Sequence, residues 1–264
     1  KRERTQRVEE AELSGHSKWS TIKRKKAATD AKRGQIFTKL GKEIAIAARE
    51  GGPDTETNFK LRLVVDKAKA ANMPKDNIER AIRRGAGLEK GAILEEITYE
   101  GYGPHGVALL IQVVTDNRNR AVADIRRWFN KLGGSLGESG CVAWQFEPKG
   151  YFTLAPDDLD PDEIFDVAVE TGADDVAFGD DLIEVFSEPG DFQLVRDGLE
   201  QQGIRLESAE ITMVPKTTIT LDEKKTFQNM NLISTLEDLD DVQQVYSNLD
   251  ISDEVMAQYE TQAD

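Results

Sequence analysis

The sequence predicts an α+β, multidomain protein: an N-terminal helical bundle followed by two ferredoxin-like α/β domains, one inserted in the other. Three observations predict it. Apolar residues recur at helical spacing as far as Ile82 and switch to strand-like runs from Glu95. Residues 149–216 read as a complete βαββαβ unit, the split βαβ pattern. The elements flanking that unit, ββαβ before it and αβ after it, are each incomplete and complete one another. The expected boundaries are 1–14 for an N-terminal extension and 15–90 for a basic helical bundle. Residues 91–148 with 217–264 make a discontinuous α/β domain around the inserted 149–216. Three domains in series is the alternative.

In chain order, QIFTKLGKEIAIAAREGG places Phe37, Leu40, Ile44 and Ala47 on one helical stripe, stopped by Gly51, Gly52 and Pro53. A second helix spans about Thr57 to Ala71, with Leu61, Val64, Val65 and Ala68 inward. Pro74 opens a third, where its missing N–H costs nothing, and Gly85 ends it. GAGLEKG is a linker; its glycines follow a helix rather than a strand, so a phosphate-cradling reading is discounted. EEITYEGY and VALLIQVVT are strands joined by Gly103-Pro104-His105-Gly106. Arg120 to Leu132 is an amphipathic helix with Val122, Ile125, Trp128 and Phe129 inward, capped by Asn117 or Asn119. GCVAWQFE, Gly140 to Glu147, reads as the next strand. The inserted unit runs from YFTLA to SAEITMVP, and a helix from Asp222 to Leu236 and the strand QQVYSNLDI close the chain.

The chain has 264 residues, 31% charged and 39% hydrophobic, which suits several small domains better than one large globule. Cys141 is the one cysteine, and His16 and His105 are the two histidines, so no disulfide, metal site or cofactor is expected. No run approaches the roughly 18 apolar residues of a membrane helix. KRERTQRVEEAELS at residues 1–14 lacks the apolar core of a secretory signal, and its four glutamates argue against a transit peptide. It is expected to be a charged tail or helical extension. A cytoplasmic location follows, with an organelle matrix as the alternative, and a monomer is expected.

Net charge, −15 overall, is divided unevenly. Residues 1–87 carry 22 Lys/Arg against 12 Asp/Glu, whereas residues 88–264 carry 12 against 37. Such asymmetry points to one polyanion-binding module joined to modules that repel polyanions. The densest cationic stretch holds Lys18, Lys23, Arg24, Lys25, Lys26, Lys32 and Arg33, opposed by Asp30 alone. Lys39, Lys42, Lys60 and Lys67 recur on the next helices, and Arg80, Arg83 and Arg84 end the third. Cations on several helices of one bundle repel without a counter-surface, and phosphate supplies one. Lysine outnumbers arginine here, which favours backbone contact over base-edge readout. Trp19 is a candidate for base stacking as well as for the core.

In the turn, Tyr99, Tyr102 and His105 are candidate loop contacts, although a hairpin that needs positive φ explains its glycines equally well. Arg118 and Arg120 extend the basic surface. His16 has no orienting partner nearby, and the paired carboxylates lack a histidine, lysine or metal context. No enzyme is therefore expected, and a nuclease is the reading set aside.

GHSKWSTIKRKKAATDAKRGQIFTKLGKEI, with LRLVVDKAKAANMPKDNIERAIRRG and YEGYGPHG, resembles the YebC/PmpR family, whose relatives include the mitochondrial translational activator of cytochrome c oxidase. The resemblance runs from Gly15 nearly to the C-terminus. It implies a helical bundle and two α/β domains in a discontinuous arrangement. It also implies one of two roles: a translation factor acting on the ribosome and its rRNA, or a DNA-binding transcriptional regulator of duplex DNA. The translation reading is preferred, with the acidic domains left to meet basic ribosomal proteins. Two departures stand out: fourteen residues precede GHSKW, and His105 stands where the family's GPGG turn has glycine.

Overall fold

The computed structural model describes residues 30–156, 160–179 and 182–263. The fold is α+β, with a helical region followed by two sheet domains, as the sequence predicts. The described residues form two compact units. Gln145–Thr218 is one, and the residues on either side of it, up to Trp144 and from Ile219, form the other.

In the larger unit, α1 (Asp30–Gly51), α2 (Phe59–Ala70) and α3 (Lys75–Gly85) enclose Leu40, Ile44, Ala47, Leu61, Val65, Ala68 and Ile78. Asn58 ties the first two helices together. Its side chain accepts from Leu61 N at 3.0 Å and donates to Ala47 O and Gly52 O, both at 2.8 Å. Gly85 lets α3 cross the α1 backbone, because a Cβ there would fall on the Ala45 carbonyl. The single apolar stripe expected of α1 is incomplete. Ala45 and Ile46, off that stripe, pack with Leu94 and Val114, so α1 is apolar on two faces and buried on both.

Next, β1 (Glu95–Tyr102) and β2 (Ala108–Thr115) pair antiparallel throughout, from Glu95↔Thr115 to Tyr102↔Ala108. The two-residue β3 (Ser135–Leu136) joins the outer edge of β1. The helix α4 (Arg118–Lys131) buries Ala121, Ile125 and Phe129, and Asn117 caps it by accepting from Arg120 N at 3.1 Å. The segment from Gly140 to Gln145 is not the strand that its β-formers suggest. Its N–H groups are taken instead by a side chain: the Glu100 carboxylate accepts from Gly140, Val142 and Ala143 at 2.7, 2.8 and 2.7 Å. Burial works to raise the Glu100 pKa, but these three donors outweigh it and hold the carboxyl below its ordinary value.

The inserted unit follows, as β4 (Phe146–Leu154), α5 (Pro161–Glu170), β5 (Ala173–Phe178), β6 (Ile183–Ser187), α6 (Phe192–Gln201) and β7 (Leu206–Pro215). Its sheet order, β5-β6-β4-β7, is that of a split βαβ sandwich. Phe152 stacks on Phe192 at 4.7 Å in its core. Lys149 sits between Asp174 and Glu188, whose carboxylates raise its pKa. At its neck, Gln145 O accepts from Lys216 N at 2.8 Å.

The chain then returns to the first sheet. After β8 (Ile219–Thr220), α7 (Glu223–Glu237) buries Met230, Leu232, Ile233 and Leu236, and β9 (Val242–Ser247) pairs with β2. The sheet order is β3-β1-β2-β9. The short β10 (Leu249–Asp250) runs parallel to β8, and α8 (Asp253–Ala263) follows. Among the described residues, no helix is long and apolar enough to cross a membrane.

Candidate nucleic-acid interface

The cations of the bundle divide by what they face. Lys18, Trp19, Lys23, Arg24, Lys25 and Lys26 lie outside the described residues. Lys32 lies within α1, and Arg33 is exposed on it. Lys39 and Lys42, expected to face phosphate, turn the other way. Lys39 Nζ donates to Glu237 O, and Lys42 Nζ donates at 2.8 Å to both Asp240 O and Asp241 Oδ1. The reason is the second buried face of α1, which brings these side chains against the turn between α7 and β9. Asp241 also accepts from Arg120 at 2.8 Å, so it joins α1, α4 and that turn. Burial would raise the pKa of Asp241, but Lys42 and Arg120 hold it below its ordinary value.

Other bundle cations are matched by the chain's own carboxylates. Lys60 lies 2.9 Å from Glu50 and 3.6 Å from Glu96, and Lys67 lies 3.9 Å from Glu43. Arg83 pairs with Glu89 at 2.8 Å and Glu79 at 3.9 Å. Arg84 is half-buried and donates to Ala92 O at 3.2 Å. Of the three α3 arginines only Arg80 is exposed with no ion-pair partner among the described residues.

The turn after β1 does not present its aromatics together. Tyr99 and Tyr102 are three apart on a strand, which sends them to opposite faces. Tyr102 donates its hydroxyl to Cys141 O at 3.0 Å, whereas the Tyr99 hydroxyl is buried with no hydrogen-bond partner among the described residues. His105 is exposed, 2.8 Å from Gln228 Oε1 through Nε2, at φ 66° and ψ 17°. That left-handed backbone is one that glycine adopts more readily than histidine. Asn229 secures the turn from α7, donating to Pro104 O at 3.0 Å.

The structure adds a cationic surface that charge totals conceal. Helix α4 carries Arg118, Arg120, Arg126, Arg127 and Lys131 against Asp124 alone, five of the twelve cations in residues 88–264. Arg120 is held by Asp116 and Asp241. The other four are exposed and have no ion-pair partner among the described residues. Trp128, expected inward, is only half-buried. The core stripe passes through Ile125 and Phe129, leaving the indole on its flank beneath Lys131 at 4.7 Å and Arg127 at 5.6 Å. On the other flank Arg118, Val122 and Arg126 line a groove of about 780 Å³ with Arg49, Tyr99 and Ser139. The RRW run beside the Arg-Asn-Arg cap was the signal in the sequence. Among the described residues, no group of three or more His, Cys, Asp or Glu is placed to hold a metal.

Family models match the chain over most of its length. The TACO1/YebC protein N-terminal domain matches residues 17–88, and the TACO1/YebC second and third domain matches residues 94–249. The chain is 54% identical over 244 residues to a probable transcriptional regulatory protein of Trichlorobacter lovleyi, covering 92% of this chain and 98% of that one. A probable transcriptional regulatory protein of Herpetosiphon aurantiacus is 52% identical over 251 residues, covering 95% of this chain and all of that one. The crystal structure of a conserved hypothetical protein from Aquifex aeolicus superposes with a TM-score of 0.78 at 44% identity. It covers 85% of this chain and 93% of that one.

Proposed function

Because this chain belongs to the TACO1/YebC family, we propose that it is a nucleic-acid-binding regulator of gene expression that works without catalysis, as a translation factor associated with the ribosome and its RNA. The observation that carries this reading is the segment Lys18–Arg33, seven cations opposed by one acid at the head of a bundle whose companion domains are acidic. A cationic module tethered to acidic ones engages a polyanion with one part and is repelled by it elsewhere, which orients the chain on its target. The acidic modules remain available to basic ribosomal proteins.

A second reading, a DNA-binding transcriptional regulator, is favoured by the relatives, which are named probable transcriptional regulatory proteins. It needs a helix that offers several base-reading side chains to the major groove. The candidate is α3, and there Arg83 is paired with Glu79 and Glu89 and Arg84 is tied to Ala92. Among the described residues, that leaves Arg80 and the half-buried Asn77 of the four candidates on this helix to read bases, and this supports the translation reading.

Co-sedimentation separates the two. Wild-type protein is expected in ribosome fractions at low salt, and the K23E/R24E/K25E/K26E variant is expected to leave them. Absence of the wild type from those fractions, together with a footprint on a preferred duplex sequence at about 150 mM salt, establishes the second reading instead.

A further inference from the structure

We propose that the outer surface of α4 is a second nucleic-acid contact, separate from the basic segment at the head of the bundle, and that it takes single-stranded RNA. This deepens the nucleic-acid reading and rests on it. The argument starts from charge. Residues 88–264 carry about three acids for each base, yet α4 concentrates five bases against one acid in 14 residues. Among the described residues, Arg120 alone of the five is held in an ion pair, by Asp241 and Asp116. Arg118, Arg126, Arg127 and Lys131 project from a helix whose core contacts come from Ala121, Ile125 and Phe129. Packing does not require their charge.

Geometry selects the ligand. Arg118 and Arg126 lie eight residues apart on one stripe, about 12 Å along the helix axis, and both line the groove beside β1. That spacing suits a chain of anions rather than a single small one. Across the core stripe, Arg127 and Lys131 approach the indole of Trp128. Cations beside a partly exposed aromatic are the elements that bind unpaired bases: phosphates meet the cations and a base meets the ring. A duplex keeps its bases stacked internally and cannot use the indole, and an acidic peptide has no base to place there. Glu95, Glu96 and Glu100 also line the groove, with Glu100 occupied by the N–H groups of Gly140, Val142 and Ala143 and Glu96 lying 3.6 Å from Lys60, and they limit the anionic chain to the α4 side.

The test uses the full-length chain, a fluorescein-labelled oligouridylate and anisotropy titrations from about 50 to 200 mM salt. The R118Q/R126Q/R127Q/K131Q variant is expected to bind roughly tenfold more weakly at the upper salt, and its log–log salt slope to be shallower by about 3 units. Its melting temperature should match the wild type. In W19F/W144F, whose remaining tryptophan is Trp128, saturating oligouridylate should quench the emission. Wild-type affinity and slope in the α4 variant overturn the proposal. If K23E/R24E/K25E/K26E then abolishes binding, the nucleic-acid reading stands without it, and if the wild type binds neither RNA nor DNA, both fall. Polyglutamate bound in an α4-dependent way in place of oligouridylate also overturns the proposal, in favour of an acidic protein partner.

Discussion

The helical bundle and α4 are both rich in lysine and arginine, but the fold uses their charge in opposite ways. In the described part of the bundle, Lys39 and Lys42 reach carbonyls and a carboxylate of the turn between α7 and β9, and Lys60, Lys67 and Arg83 sit beside glutamates. On α4 four of five cations face outward without such partners among the described residues. A count over either region gives the wrong ranking, because a cation is available to a polyanion only where the fold leaves it unneutralised. For Lys39 and Lys42 the difference arises from burial, because α1 is covered on two faces and α4 on one; Lys60, Lys67 and Arg83 are matched instead by acids on neighbouring surface positions.

The sharpest way to break this comparison is at Asp241. Asp241→Asn should cost about 3 kcal/mol in chemical denaturation, because it leaves the Lys42 ammonium, 15% exposed, with the Asp240 carbonyl but without its counter-charge, and loosens Arg120. Unchanged stability would mean that Lys42 is not held by the fold. Glu100→Gln comes next, at about 2 kcal/mol, since an amide oxygen replaces a carboxylate that accepts three backbone donors.

Acid should reveal the same two groups. Both have folded pKa values below their ordinary ones, so their contribution is full above about pH 5 and is lost as the pH falls through the folded values. Stability should therefore decline on acidification, and D241N/E100Q should show a shallower decline. Arg126→Gln should shift stability by no more than about 0.5 kcal/mol, in contrast to Asp241→Asn. The smallest expected change is a gain. His105→Gly should stabilise the chain by up to about 0.5 kcal/mol, because relief of the left-handed backbone exceeds the loss of the Gln228 contact.

Much of the architecture was legible in the sequence, because periodicity reports burial directly. The full antiparallel register of β1 with β2 follows from two apolar-rich runs around a Gly-Pro turn, and the stops of the first helices follow from their glycines and prolines. Two features were not legible, for a shared reason. Residues 140–145 have strand composition, but a carboxylate forty residues earlier satisfies their N–H groups, a partner that no local pattern reveals. Lys39 and Lys42 look like members of a basic patch, and the acid that claims Lys42 lies about 200 residues on. Local charge density on α4 was visible, but averaging it into an acidic region concealed it.

Quantitative lysine acylation of the native protein, resolved by peptide and repeated with saturating oligouridylate, tests the contrast most directly. Lys42 should react slowly in both states, while Lys131 should react readily alone and become protected by the RNA. A Lys42 that reacts as fast as Lys131, or RNA protection at Lys42 with none at Lys131, would contradict the account.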